Sequence, residues 1–340
     1  MRQGLLASIL LSTSLMVGVV SASEIQPTFA KSLLVDAQLK KKVDELHQYL
    51  IDGDIITLNF SLNRLSMPQQ EAVRFMLLQQ IEQQKLILDP KGTIWLRAQL
   101  TKHPTYMIKE QGDGYVVTKL AFDYSSIASR VLNQMSKDQQ VLDFILAAEE
   151  HSLVLSEWLV GEPHEVRVRQ SIVLAELDSL TPEALAYLSG QIDDGPISVW
   201  LPTTEIVVRL APLSQDPAVY KILWKMRTDQ HSISELTRLS RLSRLSRLSR
   251  LAPDKFATDQ LIAATSNPSL KQSAFASLAQ LHPLPSDVEQ FLLAKLSHIQ
   301  DGGAVALHLA NYGHGSWLES LLNSRNKVRK QHVRFALSQR

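Results

Sequence analysis

The sequence predicts an all-α fold, an irregular α-solenoid of antiparallel helix pairs with a small β-hairpin inserted near residues 106–120. Two observations support this prediction. Apolar residues recur at three- and four-residue spacing in many stretches, and helix ends followed by helix restarts recur along the second half of the chain. With 340 residues, 45% of them hydrophobic, the chain can bury a large core in one extended domain or two compact ones.

Composition excludes several classes of protein. The chain has no cysteine, so it is not a disulfide-stapled scaffold, a cysteine-ligated zinc or iron–sulfur protein, or a thiol enzyme. The hydrophobic share is too high for a broadly disordered chain. Lys and Arg number 35 and Asp and Glu 34, so the net charge is only +1.

The first 23 residues have the pattern of a cleaved signal peptide. Arg2 precedes an apolar stretch from Leu5 to Val20, and small residues then allow cleavage after Ala22 or Ser23. A membrane anchor is the alternative, although this stretch is shorter than the span of about 20 residues that an anchor needs. We therefore expect an exported protein, periplasmic if the source is a Gram-negative bacterium, with no transmembrane span in the mature chain.

Residues 24–140 are expected to form an N-terminal helical region. Two apolar stripes at helical spacing predict buried helix faces, and Ser66 followed by Pro68 predicts the start of the second of these helices. The stripe residues are Leu39, Val43, Leu46 and Leu50, then Val73, Leu77, Leu78 and Ile81.

A β-hairpin is expected within this region, between Tyr106 and Leu120. Two β-prone runs flank Gly112-Asp113-Gly114, which has the composition of a hairpin turn. The hairpin is either a simple insertion between helices or an exposed edge that accepts a partner strand.

Residues 141–340 are expected to form a helical repeat region. Thr181-Pro182 and Asp216-Pro217 each combine a cap residue with proline at a helix start, and Ser286 is a further cap. Two more stripes follow helical spacing. They are Val141, Phe144, Ile145 and Ala148, then Val288, Phe291, Leu292, Leu296 and Ile299.

Three segments of this region are similar to one another: residues 155–177, 261–281 and 318–339. Each ends a helix, makes a short polar turn and restarts with an aliphatic–basic pair. The pairs are Val166-Arg167, Leu270-Lys271 and Val328-Arg329, with a weaker copy around Val219. Successive copies lie 53, 51 and 58 residues apart, which exceeds the usual two-helix period of about 40–47 residues.

This pattern resembles the HEAT family of helical repeats. The resemblance implies a curved stack of helix pairs that offers an extended surface to a protein partner. Stacking is required because a single pair cannot bury its apolar face alone. The resemblance concerns helix pairs and carries no catalytic residues. A compact irregular helical bundle is the alternative.

Residues 238–251 contain Arg-Leu-Ser four times, followed by Arg-Leu. Three residues turn an α-helix by about 300°, so the leucine and arginine rows drift around the axis and visit most of its sides. We expect a long helix from about Ile233 to Leu251, part of which projects beyond the packed array. Two explanations are open: a repeat expansion tolerated on a surface helix, or a basic patch for an anionic partner.

Charge is distributed unevenly along the chain. Residues 221–340 carry 17 basic and 8 acidic side chains, net +9, while residues 1–220 carry 18 and 26, net −8. Opposite charges in the two parts favour self-association. Nucleic acid is not an expected partner, because no aromatic residues interleave with the arginines. The candidate patch for an anionic lipid or glycan is Arg238, Arg241, Arg244, Arg247 and Arg250, and the secondary basic patch is Lys327, Arg329, Lys330 and Arg334.

Catalytic, cofactor-binding and metal-ligating residues are not predicted anywhere in the chain. It lacks His-Glu-x-x-His, Gly-x-Ser-x-Gly and phosphate-cradling glycine motifs. The Ser-x-x-Lys match at residues 324–327 has no partner motifs. Acidic turns at Asp52-Gly53-Asp54 and Asp193-Asp194-Gly195 do not continue into calcium loops, and we expect them to serve as turns and caps.

The densest set of histidines is His298, His308 and His314. His308 lies among leucines and is expected in the core, whereas His314 lies in a Gly-His-Gly turn that is expected to expose it. Three tryptophans at similar places in the repeats are expected to pack between helix pairs, namely Trp158, Trp224 and Trp317.

These observations favour an exported, non-enzymatic helical-repeat protein that binds protein partners or acts as an assembly scaffold, without a cofactor. Peripheral binding to an anionic envelope surface through the Arg-Leu-Ser helix is the first alternative. A hydrolase whose site is assembled from scattered residues is the second.

Overall fold

The structure, a computed structural model, describes residues 23–111, 114–192, 200–245, 255–323 and 328–339. The chain divides into two compact units, one up to Gln139 and one from Gln140. Outside the described residues lie the expected signal peptide apart from Ser23, the acidic turn at 193–195 and the whole Ser-x-x-Lys match at 324–327. Among the helices that are described, none is long and apolar enough to cross a membrane.

The first unit combines helices with a small three-stranded sheet. Its elements in chain order are β1 (Ser23–Glu24), α1 (Pro27–Val35), α2 (Ala37–Ile51), α3 (Ile55–Asn63), α4 (Met67–Gln84), α5 (Pro90–Thr101), β2 (Tyr106–Gln111), β3 (Val116–Leu120) and the first part of α6 (Tyr124–Glu149), which ends in the second unit.

The core of the first unit forms where the sequence predicts it. Both apolar stripes are confirmed, since they lie on α2 and α4 and all of their residues are buried. Ser66 caps α4 as expected, with its backbone N–H donating to Gln69 Oε1 at 3.3 Å, and Pro68 stands in the first turn. Because α4 packs against α1, α2 and α3, the two stripes meet at the centre of this core.

The predicted hairpin is also confirmed. β2 and β3 pair antiparallel, with Met107 opposite Leu120 and Gln111 opposite Val116. On the other side of β2, β1 adds a parallel pairing of two residues. The strand order is therefore β1-β2-β3, which leaves β3 at an edge of the sheet.

The second unit consists of helices only, within the described residues. Besides the end of α6 and a 3₁₀ turn (Leu177–Ser179), its helices are α7 (Leu155–Trp158), α8 (Pro163–Glu176), α9 (Pro182–Gly190), α10 (Thr204–Ser214), α11 (Pro217–Leu223), α12 (Gln230–Leu245), α13 (Lys255–Ala264), α14 (Lys271–Ala279), α15 (Ser286–Leu296), α16 (Gly302–Asn311), α17 (Gly315–Asn323) and α18 (Lys330–Ser338).

Two rows of helices stack along the second unit. In one row, α8, α10, α12, α14, α16 and α18 each pack against the next, and in the other row α11 packs on α13 and α13 on α15. Neighbours in sequence pack across the rows, as α13 does on α14, α15 on α16 and α17 on α18. This arrangement is an α-solenoid, in which stacking buries the face that one helix pair leaves open.

The helix pairs are shorter than the spacing of the sequence repeats indicates. Helices α14, α16 and α18 begin at residues 271, 302 and 330, which are 31 and 28 residues apart. The 58-residue interval between two aliphatic–basic pairs therefore contains two helix pairs. The similarity among segments of this chain does not reveal the start of α16, because Asp301-Gly302-Gly303 stands there in place of an aliphatic–basic pair.

The cap residues in the sequence predict where helices start more accurately than apolar spacing predicts where they end. Thr181 and Asp216 cap α9 and α11 as predicted, and each side chain accepts a backbone N–H of the first turn. The N-cap of α15 is Pro285 rather than Ser286, a shift of one residue. Ile299 was expected on the buried stripe of α15, but the helix ends at Leu296 and Ile299 is 71% exposed. Apolar spacing continues past the last hydrogen-bonded turn and does not mark where a helix ends.

Candidate interaction surfaces

The described part of the Arg-Leu-Ser tract lies on α12 and keeps one buried face. Because each three-residue unit turns about 60° short of a full circle, the leucine row leaves this face as the serine row enters it. The buried positions follow helical spacing and change from leucine to serine along the helix: Ser232, Glu235, Leu236, Leu239, Ser240 and Ser243. The leucine row thus drifts as expected, but one face stays buried along the described part of the tract, because serine is small enough to pack against α10 and α13.

Arg238, the first arginine of the tract, is held by a buried carboxylate. Its Nε and Nη2 atoms each donate to Glu235 at 2.7 Å, and Nη2 also donates to the Tyr220 hydroxyl oxygen at 3.0 Å. The Tyr220 hydroxyl donates to Glu235 Oε1 at 2.6 Å. The bonds to Glu235 raise the pKa of Arg238, and burial raises that of Tyr220 well above its ordinary range. Arg238 is therefore a structural residue that joins α12 to α11.

The next two arginines face solvent. Arg241 and Arg244 are exposed and lie outside the buried face of α12, and Arg244 Nε donates to the carbonyl of Ser240 at 3.0 Å. Arg247 and Arg250 lie outside the described residues. Of the five arginines predicted to bind an anion, the structure thus places two on an open surface.

A second group of charges surrounds Asp301 at the N-terminus of α16. We call it the Asp301 cluster and define it as Lys271, Lys295, Asp301, Arg329 and His332. Asp301 is 7% exposed, and its carboxylate lies 3.2 Å from Lys271 Nζ and 3.7 Å from Lys295 Nζ. Arg329 Nε donates to the Ser297 carbonyl at 3.2 Å. The cluster carries three cationic side chains and one carboxylate, so it retains positive charge.

Glycine at position 302 lets the helices of this cluster approach one another. A Cβ atom there would lie 2.8 Å from the carbonyl oxygen of Leu296 and 3.1 Å from His332 Nδ1. A larger side chain would push the end of α15 away from α16, because the first of these contacts is to the backbone of Leu296, and it would also crowd the His332 side chain of α18. His332 Nδ1 is buried and has no hydrogen-bond partner among the described residues.

The secondary basic patch lies on α18, next to the cluster. Arg329 is the N-cap of this helix, Lys330 and Arg334 are exposed on it, and Lys327 lies outside the described residues. Lys271 and Lys330 each occupy the first position of a helix in the same row, α14 and α18. Cations at a helix N-terminus oppose the helix dipole, so these residues cost stability where they stand. The pairs Leu270-Lys271 and Val328-Arg329 therefore place positive charge at the starts of these two helices, and Lys330 adds to it at α18.

The three histidines singled out in the sequence, His298, His308 and His314, share no side-chain hydrogen bond or ring contact with one another among the described residues. His314 was expected to be exposed, but it is buried, with Nε2 2.9 Å from the Ala279 carbonyl and its ring stacked on His282 at 4.1 Å between centroids. Burial lowers the pKa of His314, and the nearby His282 lowers it further. His308 is half-buried and burial lowers its pKa too, whereas His298 is exposed.

The other residues singled out in the sequence have structural contacts. Trp224 is buried and Trp158 and Trp317 pack partly buried against the same core, as predicted. Asp54 caps α3 by accepting the Thr57 N–H at 3.0 Å, so this acidic turn is a cap. No group of three or more potential metal-ligating side chains occurs in the part of the chain that the structure describes.

Buried charges of the first unit also bond within it. Arg74 Nη1 donates to Gln99 Oε1 at 2.7 Å, which ties α4 to α5, and burial lowers the pKa of Arg74. Glu71 accepts the backbone N–H of Thr105 at 2.7 Å, which fixes the residue before β2. Sequence periodicity gives no sign of these bonds, because both residues stand on an apolar helix face.

Comparison with protein-family models, with curated proteins and with solved structures finds no match to this chain.

Proposed function

We propose that this chain is an exported, non-enzymatic helical-repeat protein, HEAT-like in its second unit, that binds an acidic segment of a protein partner. The observation that supports the proposal is the two-row stack of helices α8 to α18. A stack of this kind has a large surface relative to its length, and such surfaces commonly serve protein recognition.

The Asp301 cluster and the exposed cations of α18 make an acidic partner the best match. Lys271 and Lys295 already share one carboxylate, while Lys330 and Arg334 face solvent. A carboxylate from a partner would offset both this positive charge and the unfavourable placement of cations at helix starts.

Site-specific photo-crosslinking tests the proposal. A photoreactive residue in place of the exposed Gln331 is expected to yield discrete adducts with a protein of the source cell's envelope. Reversing charge in Lys330→Glu with Arg334→Glu should abolish these adducts. Reversing two exposed lysines of the first unit, Lys40→Glu with Lys41→Glu, is the matched control and should leave them unchanged. Absence of adducts, or equal adducts from both variants, would contradict the proposal.

Binding to an anionic lipid surface is a second candidate, favoured by the exposure of Arg241 and Arg244 on α12. Cations of this kind gain about 1 kcal/mol each near an anionic membrane. The chain is then expected to sediment with vesicles that contain phosphatidylglycerol and to stay in solution with phosphatidylcholine vesicles. If Arg241→Glu with Arg244→Glu leaves vesicle binding unchanged, this candidate is wrong.

A further inference from the structure

Strand β3 has two properties that together favour pairing with another strand. It is an edge strand, and Val116, Val117, Thr118 and Lys119 are all exposed, so neither face of the strand is covered over these residues. Val116 is 60% exposed and Val117 is 43% exposed. An exposed apolar edge of this kind is a template for pairing with another strand.

The hydrogen-bond pattern shows which residues of β3 offer free backbone groups. The N–H of Ala121 donates to the Tyr106 carbonyl, whereas the Met107 carbonyl accepts from Ile25 on the β1 side. The backbone N–H and C=O of Met107 therefore point away from β3. Those of Leu120, the residue opposite Met107, likewise point away from β2. Because backbone groups alternate in direction from one residue to the next along an antiparallel strand, the N–H and C=O groups of Val116 and Thr118 also point away from β2, toward the open edge.

These three outward residues are arranged symmetrically about Thr118. If a second copy of β3 approached antiparallel, Thr118 would face Thr118 of that copy, and Val116 would face Leu120. This register uses every outward N–H and carbonyl of the strand, giving roughly six hydrogen bonds between the copies. It also places Lys119 opposite Val117, so no two like charges stand directly opposite each other.

We propose that two copies of this chain associate through β3, in antiparallel register around a two-fold axis at Thr118, to form one continuous sheet. The interface is isologous, as expected for a closed dimer. The ion pair between Lys119 Nζ and Glu110 Oε2, at 2.7 Å, would remain within each hairpin. This inference concerns the first unit and does not depend on the function proposed for the second.

A charge at position 118 tests the axis without weakening the hairpin. In Thr118→Glu the new carboxylate would face its own copy across the axis, where like charges repel. Within the hairpin the same carboxylate would face Lys109, which is opposite residue 118 and attracts it. Thr118→Gln, of equal size and without charge, is the matched control.

Sedimentation of the mature chain is expected to show a dimer mass for the wild type and for Thr118→Gln, and a monomer mass for Thr118→Glu. Equal far-ultraviolet circular dichroism would show that all three chains fold alike, while the melting temperature of the dimeric chains should exceed that of Thr118→Glu because association stabilises the folded state. A monomeric wild type, or a dimer that persists in Thr118→Glu, would overturn the proposal.

The absence of cysteine allows a second and independent measurement. A hydrogen-bonded pair in an antiparallel sheet has Cα atoms about 5.5 Å apart, which a disulfide can span. Mild oxidation of Thr118→Cys should therefore give a covalent dimer rapidly. Gln83→Cys, at an exposed position on α4, is the control and should cross-link slowly. Equal rates for the two variants would also overturn the proposal.

Discussion

Two arginines in neighbouring, identical Arg-Leu-Ser units are predicted to differ in their effect on stability. Arg238 is paired with Glu235, whose side chain is 3% exposed, while Arg241 is exposed. Replacing Arg238 with Gln removes the cation that pairs with the buried Glu235 carboxylate, to which the Tyr220 hydroxyl then still donates a hydrogen bond. The substitution Arg241→Gln removes a solvated charge from the next Arg-Leu-Ser unit, and it is the matched control.

The magnitude follows from the burial of the two partners. Removing one partner of a buried ion pair costs about 3–5 kcal/mol. The Arg238 side chain is 41% exposed, so water screens part of the pair. We therefore expect Arg238→Gln to lower the free energy of unfolding by about 2 kcal/mol, and Arg241→Gln to change it by less than about 0.5 kcal/mol.

Urea unfolding followed by circular dichroism measures both variants. A double variant, Glu235→Gln with Arg238→Gln, should lose less stability than the two single changes added together, because it leaves no unpaired charge. If Arg238→Gln and Arg241→Gln had equal stabilities, the structural role given to Arg238 would be refuted.

Three further predictions follow from the described contacts. Asp301→Ala should lower the free energy of unfolding by about 2 kcal/mol in urea titrations, because it leaves two partly buried lysines facing each other. The free energy of unfolding should fall as the pH drops below about 6.5. The lowered pKa of His314 means that the unfolded chain binds its proton first, and this group contributes a loss of at most about 1.4 kcal/mol per pH unit. His308, whose pKa burial also lowers, adds to the loss in the same direction. If the proposed signal peptide is removed, mass spectrometry of the chain should find Ser23 as its first residue, because the Ser23 N–H donates to the Thr105 carbonyl at 3.0 Å and cleavage one residue later would remove this bond.

Each of these predictions has its own control. Lys40→Ala removes an exposed charge in the first unit and should be neutral beside Asp301→Ala. His314→Gln should reduce the slope of the pH dependence between about 7.5 and 5.5, leaving the part that His308 contributes, and an unchanged slope would contradict the role of His314 in it. A mature chain that begins at Glu24 would contradict the predicted cleavage site.

The sequence by itself determined most of the local structure. Cap residues followed by proline, such as Thr181-Pro182 and Asp216-Pro217, mark helix starts because their side chains satisfy backbone N–H groups within a few residues. Apolar spacing marks the buried faces of α2 and α4, and the Gly-rich turn marks the hairpin. These features depend on neighbours in sequence and can be predicted from it.

Tertiary structure alone decided which of several similar residues has a partner. Arg238 and Arg241 each begin an Arg-Leu-Ser unit, and Glu235 precedes Arg238 by one helical turn. The bond from Arg238 to Tyr220 of α11, however, exists only in the folded chain. His314 follows a glycine and precedes another, yet packing against His282 buries it. The helix pair α15–α16 is not marked in the sequence, because the start of α16 lacks an aliphatic–basic pair. It is recognised only from its packing in the stack. The physical reason is that the deciding contacts join groups that are distant along the chain. Tyr220 lies 18 residues before Arg238, and His282 lies on a different part of the chain from His314. Only the folded arrangement brings such groups together.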